Sequence, residues 1–498
     1  MAASVEFDDT HDLLSTSAAG PAAVRGGAMR VGGYIVGALA SVVSASLLFR
    51  HLGVENSGRY GKALALVAIV GALSDLGLTA VGVREMSQRA PAERWPIARD
   101  LLGLRITLTL VGSLIVTVFA WLAYSPMLAF GVALACVGLL LQATQDNFTL
   151  PLLLDIRLGW ITALDLARQL FTVALTIALV LIGATLTPFL GISIPVGAVL
   201  VVVAALLVRG TRTLTPTFSP RRWQRFVGTM LPYTFAVAAS ALYFRLSILL
   251  MSGLSDAKQV GYFSVPFRML EVLTLVPALV VGAAFPIFAR AAHDDHERLG
   301  YALGRVFEVS VIVGAWVAVS VAIGAPLAIS IVGGTKFAPA VPVLAVQGIG
   351  LGAMFVSLVW ANALLSLGVF RLILVISISM LLVNAVLVVA LVPLYGARGA
   401  AIATSLAELI AVVVQAAAVL RGRPQLRPSM RVLPYVALAS AVGLIPLAMT
   451  GIPVIARLVI STVLFTGVVF VTRTFPRELL DIVPWIGTHR REGPAGRS

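Results

Sequence analysis

Among the ionisable side chains that interrupt apolar runs of this sequence, five are not explained by a helix end or a neighbour on the same face alone: Asp75, Arg245, Arg268, Glu271 and Glu408. A charge in hydrocarbon costs about 2.5–3.5 kcal/mol even on the lenient insertion scale, so each needs a partner or a water-filled cavity. Arg245 lies about seven residues from one end of its apolar run and Arg268 about seven from the facing end of the next. At ~1.5 Å rise per residue, antiparallel neighbours would hold both guanidiniums roughly 10 Å deep. Two like charges at one depth repel unless an anion or an acid lies between them. Glu271, three residues and about one turn after Arg268, supplies part of that neutralisation. Asp75 and Glu408 stand near mid-depth of their own runs. Such a group either binds an anion and a coupling ion or forms a buried salt-bridge network that only fixes helix packing. The residue types leave both open.

The elements that must position these residues are membrane helices. The 498-residue chain is 59% hydrophobic and 12% charged, with a mean hydropathy of +1.01. A hydrocarbon core about 30 Å thick needs roughly 20 apolar residues per helical crossing. Fourteen such stretches are predicted, near 30–50, 62–83, 101–124, 127–150, 160–186, 188–208, 228–252, 261–288, 306–331, 341–367, 372–394, 397–420, 432–450 and 453–472. With the N-terminus inside, 25 of the 36 basic residues fall in inner loops and tails, all of them arginine. Six fall in outer loops: Arg50, Arg59, Lys62, Lys258, Lys336 and Arg398. This bias predicts cytoplasmic termini. It also gives the net charge of +14 a use at anionic membrane lipids, with no nucleic acid implied. The longest hydrophilic pieces are residues 1–28, 209–225 and the C-terminal tail, too little for a soluble catalytic domain. The acidic, Ser/Ala/Gly-rich segment 1–28 is expected to be disordered.

Other polar groups have competing readings. Arg105, Asp146, Glu308 and Arg457 lie near helix ends and can snorkel to head groups. Asp165 and Arg168 share a helix face and are expected to pair. The run Gln142, Gln145, Asp146 and Asn147 suits either sugar hydroxyls or interhelical hydrogen bonding. Pro232, Pro266, Pro277 and Pro286 predict kinks in the seventh and eighth helices. His293-Asp294-Asp295-His296 reads as a solvated acidic turn, because mononuclear metal sites usually need three or four ligands. Cys136 is the single cysteine, and no nucleotide-binding loop GxxxxGK[ST] occurs. No metal, cofactor or direct ATP hydrolysis is therefore expected, and transport energy would come from ion gradients or the substrate's own gradient.

Long basic loops after the sixth and twelfth helices divide the chain into 1–28, 29–208, 209–226, 227–421, 422–472 and 473–498. The connector Leu52-Gly53-Val54-Glu55-Asn56-Ser57-Gly58-Arg59-Tyr60 is echoed by Leu254-Ser255-Asp256-Ala257-Lys258-Gln259-Val260-Gly261-Tyr262. Together with Ser74-Asp75-Leu76-Gly77-Leu78, Arg84-Glu85, Phe244-Arg245-Leu246 and Leu394-Tyr395-Gly396-Ala397-Arg398-Gly399, these stretches resemble bacterial polysaccharide flippases of the O-antigen type. Those belong to the multidrug/oligosaccharidyl-lipid/polysaccharide exporter superfamily. The resemblance runs from residue 30 to about 472. It implies an all-α fold of about fourteen transmembrane helices, with two six-helix bundles in a V and two C-terminal helices. The implied cargo is a lipid-diphosphate-linked oligosaccharide, moved from the inner to the outer leaflet of the bacterial cytoplasmic membrane. Polysaccharide polymerase machinery is a further candidate partner.

If helices 1, 2, 7 and 8 line the cavity, as the resemblance implies, Asp75, Arg245, Arg268 and Glu271 face it and Glu408 sits peripherally. Arg245 and Arg268 would hold the diphosphate, Glu271 would hold Arg268 in the empty cavity, and Asp75 is the ion-coupling candidate. Many relatives carry an acid where this chain has Ser247, so that position cannot couple a cation here. A cation-coupled multidrug exporter, a peptidoglycan-precursor lipid flippase and a membrane polymerase or glycosyltransferase are the alternatives. The first should have an arginine-free cavity, and the last needs a large outer loop that this chain lacks.

Overall fold

The protein's structure is a computed structural model that describes residues 19–75, 78, 82, 86, 91–150, 152, 158–208, 215–220, 223, 239, 242–243, 245–282, 288, 296–449 and 451–473. The segments 1–18 and 474–498, most of the loop 209–226, Arg84-Glu85, Pro232, Phe244, Pro286 and His293-Asp294-Asp295 lie outside the described residues. Everything regular among the described residues is helical. In chain order the helices are α1 (Ala19–Asp75), α2 (Pro91–Ala123), α3 (Pro126–Phe148), α4 (Leu158–Leu181), α5 (Leu186–Gly191), α6 (Ser193–Val208), α7 (Arg245–Leu254), α8 (Ala257–Leu273), α9 (Leu275–Gly282), α10 (His296–Val332), α11 (Val341–Ser366), α12 (Phe370–Gly422), α13 (Val432–Gly443) and α14 (Val454–Val471). By length and composition, nine helical stretches among the described residues can cross a membrane, and shorter apolar helices lie at 245–254 and 432–448.

Two of the nine stretches are not single crossings. In α12 the backbone leaves helical geometry at Gly396 (φ 56°), and a Cβ on Gly399 would collide with the carbonyl of Leu391. Residues eight apart in an unbroken helix are ~12 Å apart, so the chain turns back on itself at Gly396. In α1 the break is Gly53 (φ 70°), a left-handed conformation that glycine adopts without steric cost. Gly33 packs on Thr162 and Leu166, while Asp75 shares a cavity with Ile161 and Asp165. Both ends of α1 therefore meet the same turn of α4, and α1 is a hairpin of two helices with almost no loop. The sequence reading placed connectors at 51–61 and 395–396; the backbone is helical up to each glycine and again after it. Helix α1 also begins at Ala19, inside the stretch expected to be disordered.

The eighth predicted helix is interrupted. Pro277 lacks the N–H that would bond the carbonyl of residue 273, and α8 ends at Leu273 with Thr274 in a turn before α9.

Three apolar clusters hold the described helices together. One gathers α1 to α6 around Leu101, Val132, Phe189 and Leu200 and extends to Ile329 and Phe337. A second packs α10, α11, α12, α13 and α14 around Phe307, Trp360 and Phe465. The third joins Ala65 of α1 to Met251, Phe263, Val392 and Ala400. Leu122, Val386 and Phe470 are exposed, as lipid-facing side chains should be, since lipid tails offer them an apolar solvent.

Between lipid-bathed helices, close packing of small residues replaces the hydrophobic drive. The two echoed connectors meet in this way. A Cβ on Gly58 would strike the carbonyl of Ala257, one on Gly261 would strike the carbonyl of Val54, and Gly61 lies against Ser264. Further contacts tie the same end: Arg50 donates to Ser330 O (2.7 Å), Ser46 to Ile331 O (2.7 Å) and Lys62 to Ser252 O (3.2 Å).

Candidate functional site

Arg245 opens the described part of α7, and Arg268 and Glu271 lie one turn apart on α8. The backbone contact between α1 and α8 brings all three to the junction of two groups of helices, α1–α6 on one side and α7–α14 on the other. Glu271 pairs with both arginines, its Oε1 taking Arg245 and its Oε2 lying 3.0 Å from Arg268 Nη1. Arg245 also lies over the Phe267 ring, 5.6 Å from its centroid, where the guanidinium meets the negative face of the π-system. Arg268 donates across the junction to Ser41 Oγ of α1 at 3.2 Å. The expected arginine pair with an acid between them is thus present, and the acid serves both rather than Arg268 alone.

Glu271 lines two cavities. One, of about 450 Å³, is bounded by Ala68 and Ala72 of α1, Arg245, Leu270, Gln347 and Met354, with Tyr243, Thr404, Ser405 and Glu408 completing the wall. Glu408 was expected to be peripheral; it instead shares the cavity of Arg245, with Tyr243 in the same wall. Periodicity cannot show this, because the turn at Gly396 decides which face of α12 looks inward. Gln347 is 3% exposed in the same wall, and its Oε1 has no protein partner among the described residues. The second cavity, about 340 Å³, runs from Arg268 and Glu271 along Ser41 to Asp165, Arg168 and Gln169 of α4.

Asp75 stands apart from the arginines. It pairs with Arg105 of α2, whose side chain is only 4% exposed, against 43% for Asp75. Arg105 therefore does not snorkel to a head group; its charge is matched inside the helix bundle. The pair borders a third cavity of about 410 Å³ lined by Gln142, Gln145, Asp146, Thr149 and Asp165. Arg168 crosses to α3, donating to Gln145 Oε1 (2.9 Å) and lying 3.3 Å from Asp146. Asp146, near the end of α3, thus has a charged partner on α4. Glu308 pairs with Arg305 at 3.0 Å, and Arg457 donates to Ile452 O at 2.8 Å.

Ser247, in the position where an acid was noted as missing, is buried and bound to Asn384 Nδ2 at 3.1 Å. Asn384 also donates to Tyr243 O at 3.3 Å, so an amide of α12 fastens the chain on either side of Arg245. Sequence reasoning did not single out Asn384 or Gln347. A lone amide in an apolar run was the available signal.

The profile of the family "Polysaccharide biosynthesis protein" matches residues 23–292. No curated protein matches the chain by sequence. Among solved structures, the chain is similar to the lipid II flippase MurJ in an inward closed conformation, with a TM-score of 0.73 and 13% identity over 92% of this chain and 100% of that one. It is also similar to an inward-facing multidrug resistance MATE family transporter of the MOP superfamily, with a TM-score of 0.61 and 14% identity over 79% of this chain and 94% of that one. A mutant of the Vibrio cholerae MATE transporter VcmN aligns with a TM-score of 0.52 and 13% identity over 82% and 100% of the two chains. At these identities the likeness is one of fold.

Proposed function

Because this chain belongs to the polysaccharide biosynthesis protein family and has the fold of MOP-superfamily transporters, we propose that it is a flippase. Its cargo in this reading is a lipid-diphosphate-linked oligosaccharide, carried to the outer leaflet of the bacterial cytoplasmic membrane. The observation that carries this is the sharing of one carboxylate, Glu271, by two arginines at the junction of the helix groups. One acid between two cations leaves a net positive site that a diphosphate, with about two negative charges, can satisfy better. Guanidinium stays protonated and meets phosphate oxygens with a planar fork of donors. Cargo entry would exchange Glu271 for phosphate oxygens at both arginines and would compete for the Arg268–Ser41 bond across the junction. Breaking that bond is a direct route from binding to relative movement of the two helix groups. Asp75 and Glu408 are the carboxylates we assign to ion coupling, Asp75 half-exposed beside Arg105 and Glu408 within the cavity of Arg245.

Export of lipid-linked glycan is the test. Arg245→Lys keeps the charge and loses the fork, and should transport poorly while remaining folded; Arg245→Ala should fail. Since both arginines share Glu271, the decisive variant replaces all three, Arg245→Met, Arg268→Met and Glu271→Leu. A buried ion network with only a packing role is commonly replaced by apolar residues at no loss of stability. Wild-type export by that triple variant would end the phosphate-clamp reading, and a folded, monodisperse but inactive protein would support it. The lipid-linked glycan that accumulates in the inner leaflet on deletion of the gene identifies the cargo. Accumulation of a peptidoglycan precursor would select that substrate class instead.

A further inference from the structure

A fourth cavity, of about 790 Å³, lies wholly within the second group of helices, between α10, α11, the second limb of α12 and α13. It shares no lining residue with the other three. Gln347, Leu351 and Met354 of α11 line the cavity of Arg245, whereas Ala345, Ile349, Gly352 and Val356 line the fourth. At about 100° per residue those two sets stand on opposite faces of the helix, so α11 itself separates this cavity from the arginine pair. A Cβ on Gly314 would strike the carbonyl of Gly352, and one on Gly352 the carbonyl of Gly314. The two helices therefore touch backbone to backbone, and Ala315, Ala318 and Ala353 beside that contact add little bulk to fill the trough. From Ala345 to Trp360 the α11 wall runs ~22 Å, more than the ~15 Å that one leaflet contributes to a hydrocarbon core about 30 Å thick. The lining is apolar apart from Ser440, whose proton goes to Val436 O at 2.8 Å, and the Trp360 indole. Trp360 is fully buried, yet its Nε1 has no acceptor among the described residues, and a buried indole N–H usually finds one.

One end of the trough is cationic. Met430 and Leu433 line it there, and Arg431 stands between them at the start of α13. Arg421, Arg427 and Arg431 are exposed, and Nη1 of Arg423 is buried without a hydrogen-bond partner among the described residues. No Asp or Glu occurs between Glu408 and Glu478, so nothing in that stretch offsets the four charges. We propose that this cavity binds an anionic glycerophospholipid of the inner leaflet, with one acyl chain in the trough and the phosphate among Arg423, Arg427 and Arg431. The arginine distribution predicts that this end faces inside, where anionic head groups attract basic segments. Guanidinium meets phosphate oxygens with paired, charge-assisted hydrogen bonds. A glycerol ester carbonyl is the acceptor that Trp360 lacks, six residues and ~9 Å from the inner end of α11 at Ser366. The site is independent of the flippase reading and of its cargo.

The experiment is native mass spectrometry of the full chain released from nanodiscs that hold phosphatidylglycerol and phosphatidylcholine with the same acyl chains in equal amounts. Wild-type protein should retain a single phosphatidylglycerol about tenfold over phosphatidylcholine, the scale of one or two arginine contacts with an anionic head group. Arg427→Gln with Arg431→Gln should bring that ratio close to one. Ala416→Phe puts a ring into the trough from the α12 wall and leaves the basic rim intact, and should abolish retention of the lipid. Should that protein fail to fold, Val413→Trp, at an exposed position of the same wall, takes its place. Arg371→Gln, at an exposed arginine that opens the first limb of α12, should change nothing. Equal retention of the two lipids by the wild type would overturn the site. So would retention of phosphatidylglycerol by the trough-filling variant, or an equal loss in Arg371→Gln, since charge attraction to the loops would then suffice. Displacement of phosphatidylglycerol by a polyprenyl diphosphate in the wild type but not in Arg245→Lys would assign the trough to cargo and overturn the proposal as well.

Discussion

Asp75 and Arg105 show how a charge is tolerated at intramembrane depth. The guanidinium is almost wholly enclosed and the carboxylate half-exposed, so the two halves of the pair are not equivalent. Asp75→Ala removes the partner of an enclosed charge and should cost about 3 kcal/mol, while Arg105→Ala leaves a carboxylate that cavity water can solvate and should cost about 1 kcal/mol. Thermal unfolding in detergent should rank the two variants in that order, and Asp75→Leu with Arg105→Met should recover most of the loss. An Arg105→Ala protein that unfolds earlier than Asp75→Ala would contradict this account. The Glu271 pairing differs because its two arginines sit at an open junction lined by cavities on both sides. The presence and spacing of Arg245, Arg268 and Glu271, and the need for an acid between the two arginines, were legible in the sequence. That Glu408 faces the same cavity and that Arg105 and Asp75 pair were not, since both depend on how neighbouring helices rotate against each other.

At the scale of the element, glycine decides more than the charged residues do. Gly53 and Gly396 convert two helical runs into hairpins with almost no loop, and Gly58 and Gly261 let α1 and α8 touch backbone to backbone. Any Cβ at Gly58 would overlap the carbonyl of Ala257, which cannot yield as a flexible side chain would. Gly58→Ala should therefore separate the helices and destabilise the protein by about 1–3 kcal/mol. Gly304, where a Cβ would meet open space, is the matching control. Gly304→Ala should leave the melting temperature unchanged or slightly raised, and equal losses at both positions would refute the backbone-contact argument. The echo between residues 52–60 and 254–262 was visible in the sequence as repeated composition. Only the folded chain shows that the two copies pack on each other.

In the whole molecule, the described contacts between the two groups of helices concentrate at the end that carries Gly53, Ser252 and Gly334. The arginine distribution predicts that this end faces outside. If so, a bifunctional thiol reagent that cannot cross membranes should join Ser46→Cys to Ile331→Cys in intact cells, in a Cys136→Ala background that removes the one native, buried thiol. Cross-linking should block export, and reduction of a cleavable linker should restore it. Reaction only in inverted vesicles would reverse the topology, and unimpaired export by the linked protein would show that this end need not open.

The sequence alone determined that the chain is a helical membrane protein, where its apolar runs lie and which charges they must accommodate, because the cost of polar groups in hydrocarbon is a local property of each run. It also placed two arginines and an acid in adjacent apolar runs, with Glu271 one turn from Arg268, so that their charges must be accommodated together. The tertiary structure decided which cavity each charge borders, which acid holds which arginine and how the three cavities connect. Those depend on helix rotation and on turns at single glycines. A rotation of one residue, about 100°, moves a side chain from lipid to cavity without changing the hydropathy of the run at all.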